Sequence, residues 1–236
     1  MHPADHPGPL VFVDDLDHPT LSDHDRHHLV RVLRARSGTA LTVADGAGRW
    51  RTAVLGDDLE TTGDIVTAPA AAPQLGVGFA LVKGDKPELI VQKLTELGID
   101  HIHLFRSQRS VVRWDGAQAG KAIGRLRLVA RNAAVQCHRP RLPVVHDVVD
   151  LAALAATGGV ALADRDGHAP GLQHPTILVG PEGGWSPDER SLGLPRVALG
   201  ANVLRSETAA VASGVLLSAL RAKIVVISPK SATECG

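Results

Sequence analysis

The hydrophobic pattern of the chain changes across a short segment, Ala68–Gln74, whose alanine- and proline-rich sequence is typical of a linker. Before it, short runs of alternating polar and apolar residues are separated by turn residues such as Asp45-Gly46, which predicts a small β-rich domain. After it, continuous apolar runs of strand length alternate with stretches of helical periodicity. Strands that are apolar along their whole length are buried on both faces, so this half predicts an α/β domain with a mostly parallel sheet.

These changes of pattern divide the chain into a β domain over 1–70, a linker over 71–74, an α/β domain over 75–228 and a tail over 229–236. A chain of 236 residues, 44% of them hydrophobic, is long enough to bury a substantial core. Its longest apolar stretch, Ala209–Leu220, is too short to span a bilayer, and its N-terminus lacks a signal-peptide pattern. We therefore expect a cytoplasmic protein with no membrane partner.

Two helical stretches stand out. The first covers Ser22–Ala35, and its predicted inner face holds Leu29, Val32 and Leu33. The second runs from about Gln118 to Cys137, and its apolar stripe leaves several arginines largely off the core face.

Positive charge is concentrated in one part of this formally neutral chain. The stretch His103–Arg141 holds nine lysines and arginines against a single acid, Asp115, which gives it a formal charge of +8. Met1–Leu21, by contrast, holds four aspartates and neither lysine nor arginine. A local basic block is what a phosphate-rich partner requires, although a solvated helix face accounts for the same charges equally well. Aromatic residues are scarce, so recognition by stacked rings is not expected.

Familiar nucleotide-binding and hydrolase motifs are absent. Gly76-Val77-Gly78 precedes its strand and lacks the third glycine of a dinucleotide fingerprint, and Gly120-Lys121-Ala122 lacks the rest of a P-loop. The GxSxG and HExxH motifs do not occur. These absences argue against hydride transfer and nucleotide hydrolysis.

Two loops follow apolar strands near the C-terminus and point to a ligand site. Ile177–Val179 leads into Gly180–Trp185, after which Ser186-Pro187-Asp188-Glu189 forms a capping box. Val197–Leu199 leads into Gly200–Ala210, where another helix begins. Ligands of open α/β sheets bind beyond the carboxyl ends of the strands, and glycines allow the backbone to approach a ligand closely. The alternative interpretation of either loop, taken alone, is a tight turn that binds no ligand.

Together, these two loops resemble the signature of the SPOUT methyltransferase superfamily, and within it the family of 16S rRNA uridine-N3 methyltransferases, ribosomal small subunit methyltransferase E. Further matching pieces lie along most of the chain in the expected order: Lys83–Lys86, Lys93–Gly98, Arg109–Val112, Ala134 with Gln136 and Arg139, and Leu29–Arg34 with Asp45-Gly46. The chain departs from the usual pattern at Gln108, where many relatives carry an acid, and this affects the expected orientation of Arg109.

The resemblance implies a PUA-like β-barrel followed by an α/β domain with a deep trefoil knot. It further implies bound S-adenosylmethionine, a homodimer, and 16S rRNA in the small ribosomal subunit rather than DNA as the partner. The implied cofactor loops are Leu162–Asp164, Gly180–Gly184 and Leu199–Ala209. Within them, the implied cofactor-binding residues are Leu162, Gly180, Glu182, Gly183, Leu199, Gly200, Leu204, Arg205, Thr208 and Ala209. The expected RNA-binding residues are Arg113, Arg125, Arg127, Arg131, Gln136 and Arg139.

The implied reaction transfers the sulfonium methyl group to N3 of a uridine, so the enzyme must position the base and help N3 lose its proton. The candidate catalytic residues are Arg109, Arg205 and Glu207. An arginine near O2 or O4 would stabilise the developing anion. Glu207 or Glu182 would either accept a proton or brace a loop, and the residues leave both roles open.

Two other functions remain open. The first alternative is a related knotted enzyme that methylates a ribose 2′-OH or another base. The second is a noncatalytic RNA-binding assembly factor. Six of the twelve histidines lie within the first 28 residues, and His24 and His27 have helix-compatible spacing close to Asp23 and Asp25. No second ligand cluster follows in the sequence, so we expect no metal site.

Overall fold

The computed structural model describes residues 3–6, 8–82, 84–112, 114 and 116–226. The predicted tail, 229–236, lies outside these residues. So do Arg113 and Asp115 of the basic stretch His103–Arg141. No helix in the described part is long and apolar enough to cross a membrane.

The N-terminal part forms a five-stranded sheet in which β1 pairs parallel with β2 and the other strands pair antiparallel. Its strands are β1 (Leu10–Phe12), β2 (Ala40–Ala44), β3 (Arg49–Leu55), β4 (Leu59–Thr61) and β5 (Val66–Thr67). Alternation in β2 and β3 sends residues such as Leu41, Val43 and Ala53 into a small core. The predicted β-rich domain is therefore present.

The helical stretch predicted over Ser22–Ala35 is shorter and more irregular than its periodicity suggests. A short helix α1 (Asp23–His27) passes into a π-helical turn over His28–Val32. Leu29 is buried as expected, but Val32 and Leu33 are 60% and 48% exposed, so their predicted inward orientation is wrong. The i→i+5 hydrogen bonds of a π-helix widen the turn, which rotates the following positions away from the face that Leu29 occupies.

The second part is built on a seven-stranded sheet whose strands are all parallel, in the order β12-β10-β11-β6-β7-β8, with β9 also on β7. Its strands are β6 (Gly76–Ala80), β7 (His101–Arg106), β8 (Val144–Val145), β9 (Val149–Asp150), β10 (Val160–His168), β11 (Thr176–Val179) and β12 (Arg196–Val197). Its helices are α2 (Lys86–Glu96), α3 (Gly116–Gln136), α4 (Leu151–Ala155), α5 (Pro187–Arg190) and α6 (Ser206–Arg221). The predicted mostly parallel sheet is thereby confirmed.

The two parts meet along α3. Leu10, Phe12 and Trp50 of the first sheet pack with Ala134 of α3 in one buried cluster. Arg131 of α3 also reaches across this junction. The chain is thus one packed body in which a helix of the second part supports the first.

Candidate cofactor and RNA site

A cleft with about 760 Å³ of open space lies at the carboxyl ends of β10 and β11, where both glycine-containing loops begin. This is the edge of an α/β sheet at which ligands bind. The apolar residues of the cleft lie at the strand ends, in both loops and in α6, and its charged residues are Asp164, Arg165, Glu182 and Arg190. Its lining comprises Ala163, Asp164, Arg165, Val179, Gly180, Pro181, Glu182, Gly184, Trp185, Arg190, Leu199, Gly200, Asn202, Val203, Leu204, Ser206 and Ala209.

The first loop is fixed by the capping box that follows it. The Ser186 side chain accepts a hydrogen bond from the Glu189 backbone N–H, and the Glu189 carboxylate accepts one from the Ser186 N–H. Burial raises the pKa of Glu189, but these hydrogen bonds outweigh it and leave the pKa below its usual value. Trp185, which is buried, donates from Nε1 to the carbonyl of Ala163 at 2.9 Å. The predicted capping box is confirmed. The Trp185 hydrogen bond ties the loop to β10.

Gly180 packs closely against Trp185. A Cβ atom there would lie 3.1 Å from the indole of Trp185, closer than nearly all Cβ contacts. The Gly180 carbonyl also accepts a hydrogen bond from Ser206 Oγ at 3.1 Å, which joins the first loop to the start of α6.

Lys86, at the first position of α2, links the two loops from the other side. Its ammonium lies 3.0 Å from Glu182 Oε1 and 3.1 Å from Glu207 Oε2. These two carboxylates raise the pKa of Lys86, Glu182 contributing first. The pKa of Glu182 is lowered, first by its own backbone N–H and then by Lys86. Lys86 occurs in a matching motif but was not among the predicted site residues.

Asp164 follows the buried part of β10 and places a carboxylate in the cleft. Its side chain is only 7% exposed and lies 2.6 Å from Arg190 and 3.9 Å from Arg196. Oδ2 is buried, and no donor in the described part of the chain meets it with hydrogen-bond geometry. Asp164 belongs to the first of the three implied cofactor loops, of which Ala163 and Asp164 line the cleft.

Six of the ten predicted cofactor-binding residues line the cleft: Gly180, Glu182, Leu199, Gly200, Leu204 and Ala209. The other four do not line it. Leu162 is 1% exposed inside the sheet, Thr208 and Arg205 are exposed at the start of α6, and Gly183 faces Arg109. The helical repeat explains why Thr208 is exposed, because Ala209 is the residue of that turn that faces inward.

Arg109 and Gln108 contact the first loop from the end of β7. Arg109 donates from Nη1 to the carbonyl of Gly183 at 2.9 Å. The Gln108 backbone N–H donates to Glu189, and its side-chain amide donates to Asp188 at 3.2 Å. Gln108 thus binds two carboxylates, and it lies next to Arg109 beside the loop.

The basic stretch is largely neutralised in the folded protein. Five of its nine cations form ion pairs with carboxylates that are distant in sequence: Arg106 with Asp150, Arg125 with Glu88, Arg127 with Asp147, Arg131 with Asp25 and Arg139 with Asp100. The alternative reading of these charges, as solvated and paired side chains, therefore accounts for much of the block.

Two predicted phosphate ligands serve the interior instead. Arg139 is 13% exposed and also donates to the carbonyls of Thr95 and Ile99, so it is a buried structural cation rather than an RNA contact. Arg131 donates to the Phe12 carbonyl and to Asp25 at the domain junction. Arg125, Arg127 and Gln136 remain exposed.

The described residues contain no group of three or more His, Cys, Asp or Glu that could hold a metal ion. The side chain of His24, half of the predicted histidine pair, lies outside what the structure describes.

Comparison with known proteins identifies the family. The RNA methyltransferase domain family matches residues 70–218, and the RNA methyltransferase PUA domain family matches residues 21–58. Ribosomal RNA small subunit methyltransferase E of Mycobacterium bovis is 33% identical, with 89% of this chain and 92% of the relative covered. The chain belongs to the ribosomal RNA small subunit methyltransferase E family. The family expected from the two loop motifs is thus confirmed, as is its pairing of a PUA-type domain with an α/β methyltransferase domain.

Solved structures agree with membership of the methyltransferase E family. A Neisseria gonorrhoeae ribosomal RNA small subunit methyltransferase E bound to S-adenosyl methionine is 28% identical, with a TM-score of 0.75, and 90% of this chain and 97% of that one are covered. A Legionella pneumophila protein in complex with the same cofactor is 25% identical, with a TM-score of 0.73 and coverage of 91% and 98%.

Proposed function

We propose that this protein transfers the methyl group of S-adenosylmethionine to N3 of a specific uridine in 16S rRNA of the small ribosomal subunit. The observation that carries the proposal is the cleft between the Gly180–Gly184 loop and the start of α6, in a chain of the methyltransferase E family. The N3 position and the uridine are the parts that go beyond the names of the relatives.

The residues of the cleft suit this cofactor. Val179, Leu199 and Leu204 offer an apolar surface to an adenine ring, and loop backbone offers donors and acceptors for its edge. The Asp164 carboxylate, which lines the cleft and is paired with Arg190, can accept hydrogen bonds from the hydroxyl groups of a ribose. The Glu182 carboxylate places negative charge near a cationic sulfonium group. The bound cofactor supplies an already activated methyl group, so the chain has only to position the acceptor and help remove its proton.

Arg109, Arg205 and Glu207 are the proposed catalytic residues. Arg109 is held against the first loop and Arg205 directly precedes α6; both side chains are exposed, and both lie outside the cleft lining. From there an arginine can stabilise negative charge on a uridine carbonyl oxygen as N3 loses its proton. Glu207 is 18% exposed and paired with Lys86, which favours a role in holding the loops together with Glu182.

Methyl transfer to isolated small subunits tests the proposal. Purified protein with labelled S-adenosylmethionine should methylate small subunits from a strain that lacks the modification, and mass spectrometry of the digested RNA should place the methyl group on uridine N3. A methyl group on a ribose 2′-OH or on another base would contradict the acceptor, and no transfer would contradict the enzyme assignment.

Arg205→Ala should lower the rate of transfer while leaving cofactor affinity close to that of the parent, because Arg205 lies outside the cleft lining. Loss of one charged donor to a developing oxyanion costs roughly 10²–10³ in kcat. Asn132→Ala, a change at an exposed position on α3, serves as the control for catalysis. Full activity in Arg205→Ala would remove this residue from the mechanism.

Three further features belong to the proposal. The first is the trefoil knot, which we propose from the family resemblance for the part of the domain where β12 pairs with β10 at Leu162 and Ala163 and again at His168. A homodimer in the cytoplasm is the working state that we propose, with no DNA or membrane partner. Sedimentation of the purified protein tests the dimer.

A further inference from the structure

A second cavity lies between the start of α2 and the first half of α3. It holds about 1060 Å³ of open space, and we name it the α2–α3 cavity. Gln118, Lys121 and Arg125 recur at the spacing of one helical face, so α3 presents them to the cavity together. Pro87, Glu88 and Trp114 line it from the other elements. None of its described lining residues also lines the cofactor cleft.

Trp114 is the one tryptophan of the three that the fold leaves partly exposed. Trp50 and Trp185 are 1% and 4% exposed, and both belong to buried clusters. Trp114 packs against the main core of the α/β domain and also lines the α2–α3 cavity. An indole that is held by the core and is open to a cavity offers a flat surface on which another ring can stack.

The charged residues of the α2–α3 cavity leave one cation without a partner. Arg125 pairs with Glu88, with Nε of the arginine 2.8 Å from Oε1 of the glutamate, so these two charges offset each other. Lys121 is exposed, and no hydrogen bond or ion pair joins its ammonium group to any residue that the structure describes. The charge of Lys121 is therefore available to an anion such as a phosphate.

The three groups together match the parts of a nucleotide. The Trp114 ring suits the face of a base, the Gln118 amide can donate to and accept from its edge, and the Lys121 ammonium suits its phosphate. A protein segment would need a planar side chain and an acid at the same separation. Every nucleotide of an RNA strand carries both a ring and a phosphate, so the chemistry of the cavity favours RNA.

The first turn of α2 lies between the α2–α3 cavity and the cofactor cleft. Lys86 contacts Glu182 and Glu207 at the edge of the cleft, whereas the next two residues, Pro87 and Glu88, line the cavity. A nucleotide in the cavity is therefore a near neighbour, along the strand, of a base that reaches the cleft.

We propose that the α2–α3 cavity binds one nucleotide that flanks the acceptor uridine, with its base stacked on Trp114, its polar edge at Gln118 and its phosphate at Lys121. Stacking accepts any base, so the cavity fixes the position of the strand rather than its sequence. The scarcity of aromatic residues argues against a surface of several stacked rings, but a single indole is enough for a single base. This inference rests on the proposed function, because it takes the substrate to be RNA.

Methyl transfer to unmodified small subunits tests the proposal. Trp114→Ala removes the stacking surface and should raise the KM for subunits roughly 5- to 100-fold, which is the effect of losing one base–aromatic stack. Trp114→Phe retains a ring and should keep most of the affinity. Calorimetry should show the same affinity for S-adenosylmethionine in both variants and the parent, because Trp114 lies outside the cofactor cleft.

Lys121→Gln keeps the test valid if Trp114→Ala folds poorly, because Lys121 is an exposed position on α3. This variant should raise the KM for subunits and reduce the slope of log KM against log salt by about 0.7–0.9, the loss of one phosphate contact. Lys223→Gln, at an exposed lysine after α6 that does not line the cavity, should change neither quantity. An unchanged KM in both Trp114→Ala and Lys121→Gln, or equal effects of the two lysine variants, would overturn the proposal.

Acrylamide quenching shows whether a base reaches Trp114. Because Trp50 and Trp185 are buried, most of the fluorescence that acrylamide can quench comes from Trp114. A bound uridine hexanucleotide should remove this component in the parent, and Trp114→Phe should lack it from the start. A hexanucleotide that does not bind, or that binds and leaves Trp114 open to acrylamide, would overturn the proposal. Protection by small subunits alone would assign the cavity to a ribosomal protein instead.

The parent protein shows which of the two proposals fails. A parent that neither binds S-adenosylmethionine nor methylates small subunits contradicts the proposed function. A parent that does both, beside Trp114 and Lys121 variants with an unchanged KM for subunits, contradicts only the role of the α2–α3 cavity.

Discussion

At the scale of single residues, Lys86 is the side chain on which the geometry of the cleft most depends. Among the residues that the structure describes, it alone pairs with carboxylates of both loops, at 3.0 Å from Glu182 and 3.1 Å from Glu207. Without it, two like charges would face each other across the cleft edge and push the loops apart. We therefore assign Lys86 a positioning role: it holds the two loops at the separation that the acceptor base requires.

Lys86→Met should lower kcat by roughly 10- to 100-fold, because small misplacements of positioning groups have effects of that size. Lys86→Arg retains both ion pairs and should keep most of the activity. Steady-state methyl transfer with parent, Met and Arg variants measures this. Equal rates in Lys86→Met and the parent would contradict the positioning role.

At the scale of elements, β7 shows how a strand creates a titratable cluster. Its alternation buries Ile102 and Leu104 on one face and places His101 and His103 on the other. The His103 ring stacks on that of His146, which follows β8, with centroids 4.3 Å apart and planes 9° from parallel. Burial, and then the neighbouring His146 and His101, lower the pKa of His103 to about 4.

This cluster predicts acid sensitivity. The folded pKa of about 4 lies below the unfolded value of 6.5, so the unfolded chain binds more protons between these pH values and the free energy of unfolding falls as pH drops from 6.5 to 4. Allowing for partial solvent exposure, the loss is on the order of 2 kcal/mol. His103→Phe keeps the stacked ring and should flatten the dependence in urea unfolding curves. His18→Gln, at a side chain that is 89% exposed, should leave it unchanged, and parallel curves for His103→Phe and the parent would contradict the prediction.

Elements also show what the sequence could predict. The parallel strands, the two loops and the capping box were predictable, because continuous apolar runs and the Ser186–Glu189 spacing are local signals. The partners of the arginines were not, because Arg139 finds Asp100 39 residues away and Arg131 finds Asp25 106 residues away. The π-helical turn was missed for a related reason: apolar spacing around Leu29 fits an α-helix, and only the closed backbone loop to Ala35 shows otherwise.

At the scale of the whole molecule, the uneven charge of the chain helps to join its two domains. The acidic N-terminal region and the basic α3 meet where Arg131 donates to Asp25 and to the Phe12 carbonyl, both at 3.1 Å, with its guanidinium 5.0 Å from the Phe12 ring centroid. The same helix contributes Ala134 to the buried cluster beneath the first sheet. Part of the basic stretch therefore serves domain assembly.

Arg131→Met tests this use of charge, because it keeps much of the apolar stem and removes both hydrogen bonds. Partly buried Asp25 then loses its cation, and we expect a loss of about 1–3 kcal/mol in the free energy of unfolding. Arg125→Met breaks only an exposed pair with Glu88 and should cost less than about 1 kcal/mol.

Urea unfolding compares the two variants, and hydrogen exchange should show faster opening of β1 in Arg131→Met alone. Because the cofactor cleft shares no residue with this junction, S-adenosylmethionine affinity should not change. Equal stability losses in the two variants would mean that packing around Leu10 and Trp50, rather than Arg131, holds the domains together.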